Sequence, residues 1–210
     1  MFEKNSIKPY HKNFSDFFVK IPKLSEKTFA ITGTTSGTGF VAAKTLAQKG
    51  ARVILLNRKS KRVQNCLDLI EAENPNSKII TIECDLQDFA SVQKASLQII
   101  EKCPSGLDGL CNNAGIMAHT DTATINGYDI QMQTNHLSHF LLTLNLKPAL
   151  QKAQELRGEA RIVNHSSIAR FGVKKLEAQY LEKRGGNLGG NGTRMFLFAQ
   201  GRWIRYCQSN

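Results

Sequence analysis

Long apolar runs are missing from this sequence of 210 residues. None approaches the roughly 18–20 residues that a membrane-crossing helix needs. The opening segment, Met1 to Tyr10, is polar and basic with no apolar stretch behind it, so no secretory signal is expected. The 16 glycines follow no three-residue period, which excludes a collagen-like chain. Cysteine is sparse: Cys66, Cys84, Cys103, Cys111 and Cys207 form an odd, scattered set. They make no CxxC pair, and no histidine stands at zinc-ligand spacing from two of them. Most lie in apolar runs, where a free thiol behaves as a small buried hydrophobe. A cytoplasmic or other reducing intracellular compartment is the expectation, with no metal site.

Acidic residues are also scarce, 17 against 28 lysines and arginines, for a net charge of +11. The surplus is local. Residues 157–210 hold ten basic and three acidic side chains, whereas residues 31–156 hold twelve and eleven. Such a surface suits anionic partners, although a solvated loop rich in Lys and Arg is the simpler explanation. Neither an RNA-binding motif nor a long amphipathic basic helix accompanies it, so nucleic acid is not an expected partner.

What is present is regular alternation. Short apolar runs at Thr28–Thr32, Arg52–Asn57, Lys78–Cys84, Leu107–Asn112 and Arg161–His165 read as five strands. Between them lie helical patterns after Gly39, over residues 60–74, from a cap at Asp88 to about Lys102, and from Tyr128 to about Leu146. In the third of these, Val92, Ala95, Ile99 and Ile100 are expected inward. Uninterrupted apolar strands alternating with helices predict a Rossmann-like α/β fold, a doubly wound parallel sheet with helices on both faces. Residues 1–26 read as a leader and 27–210 as one dinucleotide-binding domain. A basic, glycine-rich insertion falls at about 170–200, with five glycines in residues 184–193.

Thr32-Gly33-Thr34-Thr35-Ser36-Gly37-Thr38-Gly39 lies between the first strand and first helix. Glycines there allow a sharp turn, close approach of a pyrophosphate to the backbone, and tight packing of the new helix. The helix N-terminus then offers free N–H groups to the phosphates. The spacing is not that of a P-loop and no lysine follows, which disfavours mononucleotide hydrolysis. After the second strand, Arg58 and Lys59 stand where a carboxylate would select NAD. Their cations suit a 2′-phosphate, so NADP(H) is favoured over NAD(H). His136 and His139 are expected on the helix surface or partly buried, not as metal ligands.

These residues resemble the short-chain dehydrogenase/reductase superfamily, most closely its retinol dehydrogenase-like, NADP-dependent branch. Thr32 to Gly39, with Gly33, Thr35, Ser36, Gly37 and Thr38, matches the family's cofactor turn. Asp85-Leu86 matches the pair whose carboxylate meets the adenine. Asn112-Asn113-Ala114-Gly115 matches its N-N-A-G motif. Asn135 matches the tetrad asparagine, and Ser167, at the end of Arg161–Ser167, matches the active-site serine. The resemblance implies an oxidoreductase that interconverts an alcohol and a carbonyl, acting on a small-molecule substrate, a lipophilic one by analogy with that branch, and able to form homo-oligomers. It gives Ser167 the substrate oxygen, Asn135 a relay water, Asn113 part of the cofactor, and a tyrosine the proton. Two tyrosines compete for that role. Tyr180 follows Ser167 at a common spacing, but Arg184 fills the lysine position. Tyr206, in Tyr206-Cys207-Gln208-Ser209-Asn210, is preferred, with Asn210 standing where the family has a lysine that holds the ribose. A neutral Asn210 can hydrogen-bond a ribose hydroxyl but cannot lower the tyrosine pKa by charge. Five strands and a proton donor so near the last residue lead to the expectation of a fragment lacking C-terminal strands. Such a chain is expected to bind NADP weakly and to turn over poorly. A non-catalytic NADP-binding or interaction protein is the alternative.

Overall fold

The computed structural model describes residues 12–119, 122–167 and 181–183. Five parallel strands, β1 (Thr28–Thr32), β2 (Arg52–Asn57), β3 (Lys78–Glu83), β4 (Gly109–Asn112) and β5 (Arg161–Asn164), form one sheet in the order β3-β2-β1-β4-β5. The reversal of order at β1 and β4 opens a crevice at the carboxyl ends of the strands, where ligands bind in open α/β sheets.

The helices are α1 (Lys12–Lys20), α2 (Gly37–Gln48), α3 (Lys61–Glu73), α4 (Phe89–Lys102), α5 (Ile130–Met132) and α6 (Ser138–Arg157). A π-helical turn, Gln133–Leu137, joins the last two. Two apolar cores lie on opposite sides of the sheet. One combines Ala30, Ile54, Leu56 and Ile82 with Val92, Ala95 and Ile99 of α4 and Leu142 and Leu146 of α6. The other combines Ile31, Val53 and Leu55 with Ala43 and Ala47 of α2 and Cys66 and Ile70 of α3. Successive side chains of a strand point to opposite faces, and here both faces are covered. That is why β1 and β2 read as unbroken apolar runs, and it makes the sheet doubly wound as expected.

Several boundaries differ from the sequence reading. β4 starts at Gly109 because Leu107 N–H donates to Ala149 O of α6 and Asp108 N–H to Thr28 O. The helical run extends to Arg157 despite Pro148. A proline inside a helix costs about 3 kcal/mol, and burial of Leu146, Ala149, Leu150 and Ala153 around it offsets that cost. The helix stops at Gly158, whose φ of 83° suits glycine. On α4, Ile100 is partly exposed rather than inward, at the margin of the stripe formed by Val92, Ala95, Ser96 and Ile99. Asp88 caps α4 as expected, accepting the Ala90 N–H at 2.9 Å.

Ahead of β1, Ile21 and Leu24 pack on the α2/α3 core, and the Lys49 ammonium lies 4.1 Å from the Phe18 ring centroid. At the amino ends of the strands, buried Asp108 accepts the Thr28 N–H at 2.8 Å and forms a bidentate ion pair with Arg157 at 2.5 and 3.0 Å. This pair ties β1, β4 and the end of α6 together, far from the crevice. Within α4, Ile99→Ala is expected to cost about 2–5 kcal/mol in urea unfolding, and Leu97→Ala, at an exposed position, less than about 0.5 kcal/mol.

Candidate active site

The site gathers around the carboxyl ends of the strands, with Asn135 and His139 reaching it from the helical segment before and within α6. The β1–α2 turn is held from three sides. Gly33 N–H donates to Leu56 O of β2 at 3.0 Å. Asn57, the last residue of β2 and buried, accepts the Thr34 N–H at 2.9 Å and donates to Thr34 Oγ1 at 2.7 Å. The Cys66 thiol donates to Thr34 O. Just past β4, Asn113 Nδ2 donates to both Thr32 O and Gly33 O, at 2.9 and 3.1 Å. A Cβ on Gly39 would lie 2.3 Å from Gly33 O and 2.4 Å from Asn113 Nδ2, so only glycine fits beneath the turn. Gly37, at φ 59°, has open space where its Cβ would be. The turn is closely packed on its inner side and open above Gly37, where α2 begins. A dinucleotide's diphosphate fits such a cradle.

Thr32 Oγ1 is the hub beneath this arrangement. It accepts the N–H groups of Asn113 and Ala114, both at 2.9 Å, and lies 2.9 Å from His139 Nε2. His139 Nδ1 faces Asn135 O at 3.2 Å, an atom that can only accept, so Nδ1 carries the proton. The ring is fully buried, and burial pushes its pKa down to about 4. It is therefore neutral, and the Thr32 hydroxyl donates to Nε2. His139 was expected at the surface or partly buried. It lies inside because α6 turns it toward β1, where the threonine gives it a partner.

Asn135 sits in the π-helical turn, a feature frequent at functional sites. Its Oδ1 accepts the Ile116 N–H and its Nδ2 donates to Ile116 O, both at 2.9 Å, which fixes the segment after the N-N-A-G motif. Asn112 Nδ2 donates to Asn164 Oδ1 and Thr143 Oγ1, linking β4, β5 and α6. Ala114 is half-buried against Gly33, and Gly115 is exposed. Thr35, Ser36 and Thr38 complete the turn, with Ser36 at the N-cap of α2. Ser167 follows β5 and is half-buried. Arg58 and Lys59 are exposed just beyond β2. Asp85 lies past β3, where one carboxylate oxygen accepts the Gln87 N–H, and Leu86 O accepts from Ser138 Oγ at 2.5 Å. Tyr180, Tyr206 and Asn210 lie outside the described residues, as does the glycine-rich segment 184–193.

The structure thus brings the turn, Asn113, Asn135 and Ser167 to one end of the sheet. Sequence reasoning put Thr32 in the turn without its part as a hub, and missed Asn57, His139 and His165 as parts of the site. The signal for Asn57 was a polar residue closing an otherwise apolar strand. The four described cysteines are free. Burial raises the thiol pKa of each, to about 12 for Cys84 beside Asp85, so they remain protonated. Among the described residues no cluster of His, Cys, Asp or Glu could hold a metal ion, and no helix is long and apolar enough to cross a membrane.

A parallel 3-2-1-4-5 sheet with a glycine turn at its switch point defines a Rossmann-like, doubly wound fold. The chain belongs to the short-chain dehydrogenase family, whose model matches residues 27–180. It is 44% identical over 154 residues to an oxidoreductase of Schizosaccharomyces pombe, covering 72% of this chain and 45% of that one. It is 40% identical over 144 residues to the chloroplastic short-chain dehydrogenase TIC 32 A of Brassica napus (68% and 44%) and 34% over 143 residues to mouse retinol dehydrogenase 12 (68% and 44%). The chain spans about half the length of these curated relatives. A crystal structure of a Mycobacterium paratuberculosis protein superposes with a TM-score of 0.69 at 31% identity, covering 88% of this chain and 60% of that one.

Two outcomes test this geometry. Gly39→Ala is expected to abolish nucleotide binding in a fluorescence titration, because the added methyl displaces Gly33 or Asn113. His139 binds a proton more readily unfolded, at its ordinary pKa of 6.5, than folded, at about 4. Its contribution is therefore complete above pH 6.5 and lost as pH falls toward 4. Urea unfolding at pH 7 and pH 4.5 should show wild type losing more stability than His139→Gln, by up to about 3 kcal/mol.

Proposed function

We propose that the protein is an NADP(H)-dependent oxidoreductase that interconverts an alcohol and a carbonyl. The observation that carries this reading is the glycine cradle, clamped by Asn57 and Asn113 and open above Gly37, with two cations just past β2. Arg58 and Lys59 would take the 2′-phosphate, which is why NADP(H) is favoured over NAD(H). The backbone N–H groups from Ser36 to Gly39 would face the diphosphate, and Asp85 the adenine.

Reduced nicotinamide, when bound, supplies the hydride for the carbonyl carbon. Ser167 would hydrogen-bond the substrate oxygen. Tyr206 would donate the proton to that oxygen, and Asn135, held rigidly by Ile116, would keep a water in the proton relay. A tyrosine hydroxyl has an ordinary pKa near 10, so it needs nearby positive charge to act at neutral pH. Asn210 would bond a ribose hydroxyl without supplying that charge. The lipophilic substrate class is taken from the retinol dehydrogenase-like resemblance. Asn210 also favours a second reading, a catalytically impaired NADP-binding or interaction protein derived from such an enzyme.

In a titration with both cofactors, wild type should bind NADPH more tightly than NADH. Replacing Arg58 and Lys59 together by Ser should raise the NADPH Kd about tenfold or more and leave NADH nearly unchanged. Equal affinities in wild type would overturn the cofactor preference. For a form that turns over a carbonyl, Tyr206→Phe should abolish NADPH oxidation. Loss on Tyr180→Phe alone would move the proton donor to Tyr180. Binding without turnover in wild type would select the second reading.

A further inference from the structure

His165 is a residue of this site that none of the expected roles uses. It is the first residue past β5, its N–H donates to Asn112 O at 3.0 Å, and its side chain is exposed. The ring nevertheless has a fixed position. Asn113 Nδ2 donates to two carbonyls, Thr32 O and Gly33 O, which settles the orientation of that carboxamide. Its Oδ1 therefore faces Thr38 Oγ1 at 2.9 Å and His165 Nδ1 at 3.0 Å. An amide oxygen only accepts, so both the Thr38 hydroxyl and His165 Nδ1 donate to it. His165 Nδ1 also lies 3.5 Å from Thr38 Oγ1. The imidazole thus bridges the end of β5 to the first turn of α2, between the glycine cradle and Ser167, two residues further on. Among the described residues its side-chain hydrogen bonds all run through Nδ1, so Nε2 is the nitrogen left for a ligand.

We infer that His165 is a cofactor-contacting residue, whose Nε2 binds the dinucleotide on the nicotinamide side of the cradle, at its second phosphate or the ribose beyond. This rests on the cofactor reading above and deepens it. The position favours that half of the cofactor over the adenosine half. Arg58 and Lys59 stand past β2, on the far side of β1 from β4 and β5, where His165 lies. A ring anchored through Nδ1 gives up little freedom on binding. Nε2 can accept from a ribose hydroxyl in the neutral ring, or donate to a phosphate oxygen in the protonated one.

Two variants and two ligands test it. NADPH carries the whole dinucleotide, whereas adenosine 2′,5′-bisphosphate carries the adenine, the 2′-phosphate and a single 5′-phosphate. Asparagine at this position keeps a donor for Asn113 Oδ1 but has no second ring nitrogen, and valine has neither. In equilibrium titrations of the 210-residue chain, His165→Val and His165→Asn should each weaken NADPH by about tenfold and leave adenosine 2′,5′-bisphosphate within about twofold of wild type. Thermal unfolding checks both variants, and His165→Asn carries the test if His165→Val does not fold. Wild-type NADPH affinity in His165→Asn would show that the ring serves only to hold Asn113, and would overturn the inference. So would equal weakening of both ligands, which would mean a distorted cradle. A wild-type chain that binds neither ligand would overturn the cofactor reading itself, and this inference with it.

Discussion

One hydroxyl holds the functional end of the sheet together. Thr32 closes the central strand, and its Oγ1 accepts two backbone N–H groups from the N-N-A-G segment while donating to a buried, neutral imidazole. Every other part of the site is referred to it. Asn113 reaches the glycine turn because its own backbone is fixed by Thr32. His139 reaches the Asn135 carbonyl because its other nitrogen is occupied by Thr32. A hydroxyl suits the position because it can accept and donate at once. Valine would have the same shape and would leave the Ala114 N–H and an imidazole nitrogen unpaired, each costing about 1–3 kcal/mol, while the Asn113 N–H would keep its second acceptor, Cys111 O at 3.0 Å.

The scaffold around that hub is rigid for a separate reason. β1 and β2 are covered on both faces, so their carboxyl ends cannot shift without disturbing two cores. Polar groups that emerge there are placed with the precision of the packing beneath them. Asn57 and Asn113 are equivalent in this respect. Each closes or follows an apolar strand, and each turns a carboxamide sideways into the glycine turn from opposite directions. The amino ends of the strands have a different fastening, the Asp108–Arg157 pair, which leaves the carboxyl ends free to carry ligand chemistry.

Much of this was legible in the residues. Five apolar runs separated by amphipathic stretches gave the α/β class, and glycines at 33, 37 and 39 after the first run marked the cradle. Helix limits were less legible where long-range burial competes with local propensity. Pro148 signals an end, yet Leu146, Ala149 and Leu150 are buried on either side of it and the helix continues to Gly158. Ile100 has the composition of a core residue, but its angle on α4 takes it to the edge of the buried face. The histidines were the least legible. Nothing local distinguishes His139, which is buried against a strand more than a hundred residues earlier, from His136, three residues before it.

By itself, then, the sequence determined the order of strands and helices, the glycine turn, and the two cations past β2. These are set by periodicity, backbone freedom and charge, properties that belong to short stretches of chain. The tertiary structure alone decided which polar side chains share a hydrogen bond: Thr32 with His139, Asn57 with Thr34, Asn113 with His165. Those pairings join residues that are 23 to 107 positions apart. They follow from the strand order, which puts β4 and β2 on either side of β1, and no local pattern in the chain encodes that adjacency.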